Sequence, residues 1–86
     1  MGNRGNPVDL IVNTAKDIKP IYTVHARDQM ADRHISEEEV GFVLNNPEVT
    51  RPGEGDTIIL TAHPNGRFIK IIVERKKPRV IITAAD

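Results

Sequence analysis

Eighty-six residues without a cysteine, with Lys/Arg and Asp/Glu balanced at 12 each, describe one small domain that has no disulfide and no thiolate metal site. No apolar run approaches the ~18 residues of a membrane span, and the opening Met-Gly-Asn-Arg-Gly-Asn has no apolar signal core, so a cytoplasmic chain with no membrane partner is expected. The zero net charge hides an asymmetry: residues 1–66 hold six cations and ten anions, whereas residues 67–86 hold six cations and two anions. Such a basic segment is either the footprint of a polyanion or a solvated hairpin whose cations discourage edge-to-edge strand pairing.

Residues 1–6 are rich in Gly and Asn and are expected to fray, so the domain proper runs over 7–86. Asn6-Pro7 has the form of an N-cap followed by a first-turn proline, and Val8, Ile11, Ala15 and Ile18 recur at helical spacing. A helix is predicted over 7–18, ended by Pro20. Residues 21–24, Ile-Tyr-Thr-Val, are either a short strand or an extended lead into the next element. His25 to Leu44 then predicts two short helices joined by a tight bend. Ala26 and Met30 are spaced to bury one side of the first, while His25, Gln29 and Arg33 share another side. Ser36 with Glu39 forms a capping box for the second, and Glu37, Glu38 and Glu39 sit where the helix dipole favours negative charge. Val40, Val43 and Leu44 form its apolar face, and Pro47 stops it.

Strands follow. Arg51-Pro-Gly-Glu-Gly-Asp56 is turn chemistry, with a short edge strand expected at 49–51. Strands are predicted at 57–62, 67–74 and 79–84, separated by turns at 63–66 and 75–78. The first of these turns contains Asn65-Gly66, a strong hairpin signal. In the middle strand Ile69, Ile71 and Val73 occupy one face and Phe68, Lys70, Ile72 and Glu74 the other. The expected fold is therefore α+β: N-terminal helices packed on one face of a three- to four-stranded antiparallel β-meander, without repeats or a domain boundary.

The pattern His25-x-Arg27-x-x-Met30-x-x-Arg33-x-Ile35-Ser36, continued by Val40, Leu44, Asn46-Pro47, Gly66-Arg67 and Ile81-Ile82-Thr83, resembles a bacterial family labelled domain of unknown function 4258. The likeness spans roughly 22–85. Members often carry Gly where this chain has His34, which predicts a looser bend here, and often an aromatic residue near 84–85, where this chain has two alanines. The family is similar to BrnT-type toxins and, more remotely, to the RelE-like ribonuclease fold. The resemblance implies a compact α+β domain and raises metal-independent RNA cleavage as an activity, with RNA as substrate and a cognate antitoxin or immunity protein as partner.

Such cleavage, by attack of a ribose 2′-hydroxyl on the adjacent phosphate, needs a base, an acid and cations for the charge that develops on the phosphoryl oxygens. It obliges no metal and no cofactor. The catalytic candidates are His25, the side-chain type that titrates near neutrality, with Arg33, Lys70 and Glu74. Arg27, Arg67, Thr83, Arg75 and Lys77 are the candidates for holding phosphate. Each has a plainer role open to it. His25 caps a helix start or bonds a carbonyl; Arg33 locks the helix bend by bonding carbonyls at its C-terminal end; Arg27 pairs with surface acids; Lys70 and Glu74 are a same-face sheet pair. His34 and His63 fall in turns and are expected to be solvated.

Three dispersed histidines without HxxH or HExxH spacing give no metal-site signature, and the glycine-rich nucleotide motifs are absent. Tyr22, Phe42 and Phe68 are too few and too scattered for a base-stacking platform. Two functions stay open. One is a small ribonuclease of the BrnT/RelE-like toxin type. The other is a non-catalytic module that binds a protein or nucleic acid through its sheet face and basic C-terminal hairpin.

Overall fold

A computed structural model describes residues 17–86. The helix expected over 7–18 lies outside the described residues except for its last two, which are irregular. From there the chain runs β1 (Ile21–Tyr22), α1 (Val24–Arg33), α2 (Glu37–Asn45), β2 (Val49–Pro52), β3 (Thr57–Ala62), a 3-10 turn (Pro64–Gly66), β4 (Ile69–Glu74) and β5 (Val80–Ala85). The strands form one sheet in the order β1-β5-β4-β3-β2. Both helices lie against the same face of it, α1 along β5 and α2 across β4 and β3.

The α+β expectation holds, but the sheet has five strands and is mixed. β2 to β5 form the antiparallel meander, while β1 adds to β5 in parallel, pairing Ile21 with Val80 and Tyr22 with Ile81. Two- and four-residue edge strands are too short to display a period-two pattern, which is why the sequence hints at them without specifying their partners. The direction of β1 is set by Thr23, the residue after it. Its backbone N–H donates to Ile81 O at 3.1 Å and its hydroxyl donates to the same oxygen at 2.9 Å. The hydroxyl also accepts the Ala26 N–H at 3.1 Å as the N-cap of α1. Opposite Ile72 and Val73 the β5 partners are Thr83 and Ile81, so Ile82 is the extra residue of a bulge at the point where Thr23 attaches.

One contiguous core lies between the helices and the sheet. Ala26 and Met30 come from α1, Val40, Val43 and Leu44 from α2, and Ile35 from the bend. The sheet contributes Leu60, Ala62, Ile69, Ile71, Val73, Ile81 and Ala84. The alternation in β4 is complete: Ile69, Ile71 and Val73 are fully buried, and Lys70, Ile72 and Glu74 between them face the opposite side of the sheet. No helix among the described residues covers that opposite side, and none is long and apolar enough to cross a membrane.

The turn predicted at 63–66 is longer in the structure and runs over 63–68. Asn65 and Gly66 do take positive φ (54° and 81°), but Pro64 is buried and starts a 3-10 turn, and the ladder resumes only at Ala62 opposite Ile69. Arg67 thereby leaves the strand predicted at 67–74. Its side chain explains why.

Candidate functional site

Arg67 closes the bend between α1 and α2. One terminal nitrogen donates to His34 O at 2.9 Å and reaches both oxygens of Glu39 at 3.3 Å. The other donates to Arg33 O at 2.8 Å and Asp86 Oδ2 at 2.7 Å. A planar guanidinium suits this task because its donors leave in fixed directions and can satisfy two orphan carbonyls and two carboxylates together. Those contacts raise the Arg67 pKa, the Asp86 hydrogen bond first, and hold the Asp86 carboxyl below the usual carboxylate range through the same bond. The lock expected of Arg33 thus belongs to Arg67, and Arg33 itself pairs with Asp86 Oδ1 at 3.4 Å.

The bend does not loosen for want of glycine. His34 adopts the left-handed conformation (φ 55°, ψ 45°), and its N–H and that of Ile35 close on the last turn of α1, Ile35 N–H donating to Met30 O at 2.9 Å. The capping box of α2 forms as predicted, Glu39 N–H donating to the Ser36 hydroxyl at 3.0 Å and Ser36 N–H donating to Glu39 Oε1 at 2.9 Å. Glu39 therefore serves two ends at once, the start of α2 and the Arg67 lock.

The candidate residues separate into three groups. His25, Arg27 and Arg33 belong to α1, in the helical layer. His25 is exposed, and Arg27 pairs with Glu37 at 3.2 Å while its guanidinium carbon stands 4.6 Å from the centre of the Tyr22 ring. Burial first, and then the Glu37 charge, raise the pKa of that tyrosine, with Arg27 opposing. Lys70, Glu74 and Thr83 lie on the open face of the sheet. Thr83 stands opposite Ile72, between the rungs of Lys70 and Glu74, while Thr61 stands opposite Lys70 and Thr57 opposite Glu74. Arg75 and Lys77 occupy the exposed β4–β5 turn beyond Glu74. His25 and the strand cations therefore do not share a hollow, because the sheet stands between them.

The same geometry breaks up the basic C-terminal segment. Arg67 is bound into the bend, Lys70 is on the open face, Lys76 approaches Asp56 at 4.0 Å, and Arg79 Nε–H donates to Lys19 O at 3.2 Å. Lys70 and Glu74 are four residues apart on one strand, about 13 Å along it, and no ion pair joins them among the described residues. A cleft of about 460 Å³ beside the start of α2 is lined by Ser36, Glu38, Glu39, Phe42, Pro64 and Asn65, an acidic lining unsuited to phosphate. A shallow apolar groove of about 510 Å³ lies at the other end, between Ile18, Ile21 and the β4–β5 turn.

Reasoning from sequence missed two polar residues. His63 is exposed between the strands, as expected, but its Nδ1 also lies 2.8 Å from Glu48 Oε1, and the same carboxylate accepts the His63 backbone N–H at 3.3 Å. The only available signal was a histidine directly after a strand; Glu48 is fifteen positions away and nothing in the spacing links them. Arg51 was the other omission. It lies in β2 opposite Ile59, on the rung that continues through Ile72 to Thr83.

Comparison with known proteins agrees with the motif over the helices. The chain belongs to the family described as Domain of unknown function (DUF4258), whose model matches residues 22–86. No curated protein and no solved structure matches the chain.

Proposed function

We propose that the protein is a small metal-independent ribonuclease that works on the open face of its sheet. The observation that carries this is the placement of Lys70, Thr83 and Glu74 on adjacent rungs of a face that no helix covers among the described residues, with buried Thr61 beside Lys70 and Thr57 beside Glu74. Lys70 supplies a cation for a phosphoryl oxygen, the Thr83 hydroxyl orients it from the next rung, and Arg75 and Lys77 continue positive charge past the end of β4. Glu74 stands too far from Lys70 to serve the same phosphate, so it addresses a neighbouring sugar or base. Arg67 is a structural lock in this scheme, and His25, Arg27 and Arg33 lie behind the sheet. The likeness to BrnT-type toxins and the RelE-like fold adds a reason to look for RNA chemistry, at the level of fold analogy.

The test is incubation of the purified protein with mixed-sequence single-stranded RNA in excess EDTA between pH 5 and 9. Cleavage that leaves 2′,3′-cyclic phosphate and 5′-hydroxyl ends is expected. Intact RNA throughout overturns the proposal. One feature favours a protein-binding role instead: Ile59 and Ile72 place an apolar centre inside the polar rim of the same face, the anatomy of a protein interface. That role predicts no cleavage under any of these conditions.

A further inference from the structure

RNA cleavage at neutral pH needs a group that takes the 2′-hydroxyl proton, and His25 stands on the far side of the sheet from Lys70. We infer that His63, held by Glu48, is the acid–base residue of the open face, acting beside Lys70; this rests on the ribonuclease proposal above.

The geometry has four parts. First, Glu48 Oε1 lies 2.8 Å from Nδ1 of the imidazole, a contact that favours the neutral tautomer with its proton on Nδ1 and Nε2 as the acceptor. Second, Glu48 is itself anchored, its backbone N–H donating to Thr61 O at 2.8 Å while its second oxygen accepts the His63 N–H. Third, the imidazole packs edge-on to Phe68 with ring centres 5.4 Å apart. His63 follows Ala62 and Phe68 precedes Ile69, so this contact sits just past the last paired rung, Ala62–Ile69. Fourth, continuing the alternation of the two strands by one residue puts these rings on the side of Thr61 and Lys70, about 7 Å along the strand direction from them, a distance one phosphodiester group can span between two side chains. A carboxylate that orients an imidazole from one nitrogen and leaves the other to accept a proton is the arrangement general bases use.

The step balances without a further reactant. His63 Nε2 takes the proton of the 2′-hydroxyl, and the 2′ oxygen forms its bond to phosphorus. The bond from phosphorus to the 5′ oxygen breaks, and the Lys70 ammonium protonates the departing oxygen. The products are a 2′,3′-cyclic phosphate and a 5′-hydroxyl, and both side chains return to their starting protonation states by exchange with water.

Four variants, His63→Ala, His63→Gln, Glu48→Gln and Lys70→Ala, are compared with wild type for kcat and KM on single-stranded RNA in EDTA. Binding is measured separately with a 2′-O-methylated RNA hexamer that cannot react. Both His63 variants are expected to lose about 10²- to 10⁴-fold in kcat while KM and hexamer affinity stay within about twofold. Free imidazole restores turnover to His63→Ala. Glu48→Gln loses about tenfold or more in kcat with KM unchanged, the behaviour of a positioning residue. His63→Ala cleaving at the wild-type rate while Lys70→Ala does not overturns this inference and leaves the ribonuclease proposal standing. Loss of hexamer binding in His63→Ala, or no rescue by imidazole, also overturns it. A wild-type protein that cleaves nothing overturns both.

Discussion

Arg67 shows how far one side chain can organise this domain. Its four partners come from the end of α1, the bend, the start of α2 and the residue after β5, so one guanidinium joins the helical pair to the edge of the sheet. Replacement by Lys keeps the charge and loses the planar fork, so Arg67→Lys is expected to melt several degrees below wild type, followed by circular dichroism. Asp86 gives this a pH signature. Its folded pKa is depressed, so its contribution is fully present above the unfolded value of about 3.9 and disappears as pH falls through the lower folded value. Wild type should therefore melt above Asp86→Asn by a constant margin at neutral pH, and the two should converge at the acid end; a margin independent of pH would rule out the ionic role. His34 makes the opposite case. A side chain in the left-handed region is strained, so His34→Gly should gain up to about 1 kcal/mol by urea denaturation, less whatever glycine adds to the entropy of the unfolded chain.

Among the elements, those with local chemistry were legible and those defined by distant partners were not. The capping box, the buried faces of α1 and α2, and the limits of β3 all follow from side chains within a few residues of one another. The alternation in β4 named its buried face because its core side chains repeat every second residue. β1 was ambiguous because two residues cannot establish a period, and its partner is nearly sixty positions away. Thr23 carries that pairing. It caps α1 and occupies carbonyls at the β5 bulge, so Thr23→Ala should cost about 1–2 kcal/mol, at the upper end of cap losses. Gln29 does related work nearly two turns past the cap: its side-chain oxygen accepts the Ala84 N–H at 3.0 Å, covering a donor that short β1 leaves unpaired.

For the molecule as a whole, the sheet separates the helical layer from the face proposed for catalysis. The helical side holds the core and the Arg67 lock, while the open side carries Lys70, Thr83 and Glu74 on consecutive rungs. The membership of β4 in that open face was visible from period two. The placement of His25 across the sheet from Lys70 was not, because which face the helices cover is decided by packing against Ile69, Ile71 and Val73. The most direct test is therefore a single comparison on one RNA in EDTA, with initial rates measured side by side for wild type, Lys70→Ala and His25→Ala. Cleavage from the sheet face predicts a loss of at least about 100-fold for Lys70→Ala and a near-wild-type rate for His25→Ala. The reverse order, with His25→Ala inactive and Lys70→Ala unaffected, would contradict it.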